Sequence, residues 1–343
     1  MGMKKLLQQM IPSYRVSQQL MEQFELLKRD NEKLTAQIGA LNQKTEYCFW
    51  LLSQTESETP AEVKKRVFLS MPKATGKTRE IQLAEAYILK KVKKVCEENA
   101  IPLFLTDGTL LGAQRHHGFI PWDDDVDTGV MRQDLDRLFD ALSDDDELTI
   151  KNYYIHESGK QRIKVKFRFA ELFFIDVWVL DRFEADESNV EQRWNQTQAV
   201  AAEIQKKMKE MLGQGDGSWL SIERPDLDEP IRKMQSELMA TMPWYGAKDG
   251  QYICYGVESD PKARMDLAFV RAEKWFPIRE RAMKFEGELF SCANQYEALL
   301  YKQYGDYWTL PDVVSVPHEF NFEKNYDAEI ALLREKGIVP LLE

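Results

Sequence analysis

Residues 104–127 read FLTDGTLLGAQRHHGFIPWDDDVD and residues 172–180 read LFFIDVWVL. The first stretch begins as a short apolar strand, Leu103-Phe104-Leu105, and passes through Gly108-Thr109 into the start of a helix. A turn of that kind presents backbone N–H groups and a hydroxyl to a phosphate. The stretch ends in the acidic run Asp123, Asp124, Asp125, Asp127, and Asp127 to Met131 is strand-like again. Alternate strand residues share a face, so Asp125 and Asp127 aim two carboxylates at one point, with Asp124 turned away. Two charges so close need a cation or strong hydrogen bonds, and hard oxygen donors suit Mg²⁺ or Mn²⁺, which also bind substrate phosphates. The competing account is a solvated loop, or carboxylates at a helix N-terminus.

The second stretch is apolar on both faces except at Asp176, which marks a central strand. An ionised carboxylate there is costly unless paired or bound to metal. Asp176 is therefore a third metal-directed carboxylate and a candidate acceptor for the proton of an attacking hydroxyl; the alternative is a structural, hydrogen-bonded or salt-bridged Asp. In the strand before it, Arg162, Lys164, Lys166 and Arg168 alternate with Ile163, Val165, Phe167 and Phe169. Four cations on one face describe either a wet outer strand or a phosphate-holding one, with Lys164 and Lys166 as the candidates. Arg115 and His116, just past the turn, are candidate contacts for anionic oxygens; a surface role or, for the histidines, a catalytic base are the alternatives.

Outward from these stretches, Ile81, Ala84, Ile88, Val92 and Val95 line one face of a helix over about 79–98. Leu135, Leu138, Phe139 and Leu142 line another, and helical patterns occupy about 189–212, 230–242, 265–275 and 295–304. The order predicts an α+β fold: a small mixed sheet with flanking helices and a helical C-terminal half. Residues 53–78, with Pro60, Pro72 and Gly76, read as a linker carrying a short helix near 62–69. Gly76-Lys77-Thr78 is not a P-loop, because the position that needs the first glycine holds Met71.

Residues 1–52 carry a heptad. Leu20, Leu27, Leu34 and Leu41 fall at d, and Phe24, Asn31 and Ile38 at a. Leu at d with one Asn at a predicts a homodimer through a parallel coiled coil; a lone amphipathic helix is the alternative. Residues 79–343 are then a separate domain that carries the acidic stretches, expected to be the catalytic one. With a net charge of −11, a general nucleic-acid or anionic-membrane binder is disfavoured. The four scattered cysteines and the lack of a signal-peptide core or a spanning apolar run predict a cytoplasmic protein with reduced thiols, at most peripheral at the inner membrane face.

The block from Asp107 to Asp127, the downstream Phe174-to-Asp176-to-Trp178 strand, and Trp275-Phe276-Pro277, Phe285-Glu286-Gly287 and Tyr304-Gly305-Asp306-Tyr307 together resemble the LicD/fukutin family. The resemblance spans roughly residues 80–312. It implies a nucleotidyltransferase-like core and transfer of phosphocholine or a polyol phosphate from a CDP-linked donor to a glycan or glycolipid, releasing CMP. It also implies Gly108 and Thr109 as the substrate turn, Asp125 and Asp127 as the metal pair, Asp176 as the third carboxylate and Asp123 as an extension of the acidic motif. The competing functions are a nucleotidyltransferase joining an NTP to a sugar phosphate or small molecule, and a non-catalytic coiled-coil binding module.

Overall fold

The computed structural model describes residues 12–55, 57–215, 221–259, 270–310 and 325–340. The chain divides into two compact units, residues 1–67 with 310–313, and residues 68–309 with 314–343. In the first, the heptad region forms one long helix, α1 (Pro12–Ser53). Phe24, Leu27, Leu34, Ile38 and Leu41 are each more than half exposed along it. The expected linker helix is α2 (Pro60–Ser70), opened by a capping box in which Glu62 accepts from the Thr59 backbone N–H at 2.8 Å.

The second unit is built on one mixed sheet. Its first part runs α3 (Gly76–Glu98), β1 (Phe104–Leu105), α4 (Asp107–His116), β2 (Asp127–Met131), α5 (Arg132–Ser143), β3 (Leu148–Ile155), β4 (Lys160–Phe167) and β5 (Phe174–Phe183). The strands lie in the order β1-β2-β5-β4-β3. β2 and β5 are parallel, whereas β1 with β2, β4 with β5 and β3 with β4 are antiparallel. Two helices, α6 (Val190–Leu212) and α7 (Pro225–Met239), precede β6 (Tyr252–Tyr255), which pairs with the end of β5, and β7 (Val270–Arg271), which pairs with β6.

Period-two alternation gives this sheet two different faces. Ile163, Val165, Ile175, Val177 and Val179 join Ile88, Leu89 and Val92 of α3 and Leu138 and Leu142 of α5 in one apolar core. The opposite face carries Asp127, Asp176, Lys164 and Arg162.

The remaining elements are α8 (Ala272–Trp275), β8 (Arg279–Phe285), β9 (Glu288–Cys292), α9 (Tyr296–Tyr304) and α10 (Tyr326–Glu335). The expectation of a helical C-terminal half is therefore corrected: among the described residues this half also holds four strands after β5, two of them in the β8–β9 hairpin. The hairpin turns at Glu286 and Gly287, with φ of 44° and 84°, the two successive positive φ values of a tight hairpin turn. Of the helix expected over 265–275, residues 265–269 lie outside the described residues, and the rest is β7 and the single turn α8. β3 was not expected. No helix among the described residues is long and apolar enough to cross a membrane.

Candidate active site

Register brings the acidic stretches together. Asp127 at the head of β2 stands opposite Asp176 of β5, and Asp176 stands opposite Lys164 of β4. Partners in register share a face, so two carboxylates and an ammonium form one row across three neighbouring strands. Lys164 Nζ lies 3.5 Å from the centroid of the Phe174 ring. Burial lowers its affinity for a proton, partly offset by the charge of Asp176. β4 is thus an interior strand, not a wet outer one.

Asp125 lies outside β2, in the segment just before it, which is held parallel to β5 by a 2.8 Å bond from the Asp176 N–H to the Val126 carbonyl. Asp124, expected to turn away, is 1% exposed and is the most buried of the run. Asp123 approaches the turn: a Cβ placed on Gly108 would stand 3.1 Å from Asp123 Oδ2 and 4.0 Å from Asp127 Oδ2. Glycine keeps the α4 N-terminus this close to the carboxylates. Thr109 is buried, and its hydroxyl accepts the Asp127 backbone N–H at 2.7 Å, tying the turn to the acidic strand.

A relay of aromatic groups fixes these acids. Trp178 donates its indole N–H to Asp127 Oδ1 at 2.6 Å and meets Tyr255 edge to face, with ring centroids 5.7 Å apart. Tyr255 donates its hydroxyl to Asp107 Oδ2 at 2.8 Å, and Gln303 donates to Asp107 Oδ1 at 2.6 Å. Asp107 holds φ of 48°, a conformation unfavourable for a residue with a side chain, at the point where β1 turns into α4. The Arg162 guanidinium covers the Trp178 ring at 4.5 Å.

The loop before the acids is clamped from two sides. Gln82 of α3 donates to the Asp123 carbonyl at 2.8 Å, and Arg79 donates to Gln82 Oε1 at 3.1 Å. Glu286, at the tip of the β8–β9 hairpin, is bound by Arg79 and Lys73, each at 2.8 Å, and its backbone N–H donates to the His117 carbonyl. Burial alone would raise this carboxyl; the two cations hold it below the usual carboxylate range. Trp178, Tyr255, Asp107, Gln82 and Glu286 were not among the expected site residues. Glu85 of α3 was missed as well. It is 1% exposed, its Oε2 has no hydrogen-bond partner, and burial followed by the charges of Asp125, Asp124, Asp123 and Asp176 pushes its carboxyl well up.

Other expected residues sit elsewhere. Arg115 and His116 occupy the last turn of α4, about 10–12 Å along the axis from Gly108 at ~1.5 Å per residue. Arg115 stacks on Phe68 at 3.7 Å and is brought down to about 10 by burial. His116 Nδ1 is bonded to the Phe68 carbonyl at 2.9 Å, and burial, then Arg115, brings the ring to about 4, so it is neutral near pH 7. Lys166 is 2% exposed and is already bound by Glu223 at 2.8 Å and by Glu171.

A divalent cation suits this donor set. Asp176 Oδ1 is buried with no hydrogen-bond partner, and the surrounding oxygens are carboxylate, the chemistry Mg²⁺ and Mn²⁺ prefer. Among the described residues, however, no three Asp, Glu, His or Cys side chains are already drawn into a group that could hold a metal.

Residues 100–212 match the family model described as LicD/FKTN/FKRP, nucleotidyltransferase domain. The chain is 25% identical over 260 residues to the lipopolysaccharide cholinephosphotransferase LicD of Haemophilus influenzae, covering 68% of this chain and 92% of that protein. Shorter matches run to uncharacterised proteins of Rickettsia prowazekii, 39% identical over 61 residues (18% of this chain, 23% of that one), and of Rickettsia typhi, 45% identical over 47 residues (14% and 15%).

Proposed function

This chain belongs to the LicD family, and we propose that, as a LicD-type transferase, it moves a phosphocholine-type group from a CDP-activated donor onto a glycan hydroxyl and releases CMP. The observation that carries this reading is the row Asp127, Asp176, Lys164 on one sheet face beside Gly108 at the start of α4. The helix N-terminus and Lys164 offer positive potential to the donor phosphates, and the carboxylates offer oxygen donors to a cation. Phosphocholine is favoured over a polyol phosphate by the activity named for the Haemophilus relative.

Asp125, Asp127 and Asp176, with Asp123 at the rim, would hold Mg²⁺ or Mn²⁺, whose charge would neutralise the phosphates and stabilise charge developing in transfer. The rest falls to side chains. Asp176 accepts the proton of the acceptor hydroxyl as its oxygen bonds to the distal phosphorus, while the bond from that phosphorus to the CMP oxygen breaks. Lys164 steadies the phosphate oxygens, and Trp178 and Thr109 hold Asp127 in place. Arg115, His116 and Lys166 have no part in this scheme, because their partners or positions commit them elsewhere.

The test is metal-dependent CMP release with CDP-choline, CDP-glycerol and CDP-ribitol offered in turn. Release from none of them, with pyrophosphate released from CTP instead, would replace this reading by nucleotidyl transfer, a second possibility that the family description keeps open. The exposed heptad of α1 supports a further part of the proposal, a homodimer through a parallel coiled coil.

A further inference from the structure

Glu286 is an acid at a turn position that does not call for one. It opens the tight turn of the β8–β9 hairpin with φ of 44°, where Asn, Asp or Gly would sit more easily. Its side chain is 6% exposed, so the carboxylate also bears the cost of leaving water. Seating the hairpin does not require it. Met283, Phe285 and Phe290 already lie in the apolar core, and Phe285 packs on Phe119 with ring centroids 4.9 Å apart.

What Glu286 holds instead is the loop between α4 and the acidic run, at both ends. Near the start, its N–H donates to the His117 carbonyl at 3.1 Å, and its Oε1 accepts the Phe119 N–H at 3.4 Å. Gly118, between them, has no room for a side chain, because a Cβ there would overlap Glu286 Oε1. At the far end the grip is relayed. Arg79 donates to the two Glu286 oxygens at 3.2 and 2.8 Å, a forked pairing that fixes direction as well as distance. It also donates to Gln82 Oε1 at 3.1 Å, and Gln82 donates to the Asp123 carbonyl at 2.8 Å. Asp123 in turn approaches Gly108 at the start of α4, and the Val126 carbonyl is tied to Asp176.

We propose that Glu286 is a positioning residue for group transfer: from the hairpin tip, through Arg79 and Gln82, it sets where the Asp123–Asp127 run stands against Gly108 and Asp176. This rests on the transfer reading above and deepens it. A run displaced by a fraction of an ångström still meets the donor but holds it out of line for attack, so the loss falls on kcat rather than KM.

The test is CMP release from CDP-choline by the full-length protein, with kcat counted per folded molecule well below Tm, alongside hydrogen exchange over residues 119–127. Glu286→Ala should lower kcat about tenfold, the lower end of the range for lost supporting partners, with the donor KM within about twofold. Exchange over 119–127 should be faster than in the parent. Glu286→Gln keeps the shape and one acceptor oxygen for Arg79, so its kcat should lie between the two; it carries the test should Glu286→Ala not fold. Gln82→Met cuts the relay at its last link and should also lower kcat, and the double variant should lose less than the product of the single losses. Parent-like kcat in the Glu286 variants, or losses that multiply in full, would overturn the proposal and leave the hairpin contact a structural one. If the parent releases no CMP from any CDP-linked donor, the transfer reading fails by itself. Exchange then decides the placement of the acidic run by Glu286: faster exchange over 119–127 in Glu286→Ala upholds it, and parent-like exchange ends it.

Discussion

On one face of β5, Ile175, Val177 and Val179 are at most 5% exposed and lock into the core formed with α3 and α5. On the other, Asp176 leaves a buried oxygen unbonded, Trp178 spends its N–H on Asp127, and Lys164 stands across from the acid at a cost in protonation. The two faces are one residue apart in sequence. The first is built for packing density; the second accepts crowded charge and unfilled hydrogen-bonding capacity. Stability and function should therefore separate by parity along this strand.

Asp176→Asn against Ile175→Ala gives the largest contrast. Asparagine should lower CMP release by at least ~10²-fold, as expected for loss of one transition-state electrostatic contact, and leave the metal-free Tm unchanged or raised. Alanine at Ile175, which is fully buried, should cost ~2–5 kcal/mol, visible as a Tm lower by about 2–4 °C for each kcal/mol, with turnover per folded molecule retained. Near-normal turnover in Asp176→Asn would break the comparison at its centre.

Trp178→Phe probes how the working face is held. The ring is kept and the N–H to Asp127 is lost, so the cost is the hydrogen bond to a charged acceptor, ~1.5–3 kcal/mol. Turnover should fall about tenfold if Asp127 is positioned through this bond, the lower end of the range for such supporting groups. Tyr255→Phe cuts the next link of the relay, from the Tyr255 hydroxyl to Asp107. The double variant should lose less than the sum of the singles; strict additivity would show that the links act separately.

Much of the working face was legible in the sequence because its parts are local. The Asp123–Asp127 run, Asp176 in an apolar strand and Gly108 before a helix are each visible within a few residues. The register that sets Asp127 against Asp176 is not local, nor is the choice of Trp178 and Tyr255 as supports, since an aromatic in an apolar run reads as core. Glu85 was hidden by its helix: one acid among lysines and glutamates on an amphipathic pattern gives no sign of burial. Lys164 and Lys166 look equivalent by alternation, and what separates them is the pairing of Lys166 with Glu171 and with Glu223, the latter more than fifty residues away. The β8–β9 hairpin had a usable signal in Glu286-Gly287, two turn-forming positions between short runs.

That distant pairing also gives the working face a pH signature. Burial would raise the Glu223 carboxyl, but hydrogen bonds from Lys151, Lys166 and Tyr153 prevail and hold it at about 2. Its folded value lies below the unfolded one, near 4.5, so between these values the unfolded chain binds the extra proton. The stabilisation is complete above about pH 4.5 and is lost as pH falls toward 2. Glu223→Gln should therefore be less stable than the parent at pH 7, leaving buried Lys166 with Glu171 alone, and the gap should narrow steadily through that window in urea unfolding. A gap independent of pH would assign the loss to packing rather than charge.

The smallest effect on chemistry should come from the unit to which no residue of the proposed transfer is assigned. Leu27 and Leu34 of α1 are 68% and 56% exposed, so replacing both by Lys removes little packing within one chain. In a parallel pair the same substitutions set like charges against each other at successive d layers, where apolar contact drives association. Sedimentation should show a dimer for the parent and a monomer for the double variant, with CMP release per chain unchanged within about twofold, because every residue assigned to transfer lies in the second unit. A dimer that survives would place association on another surface. A monomer with collapsed turnover would show that the two units work together and that the active site is incomplete in one chain.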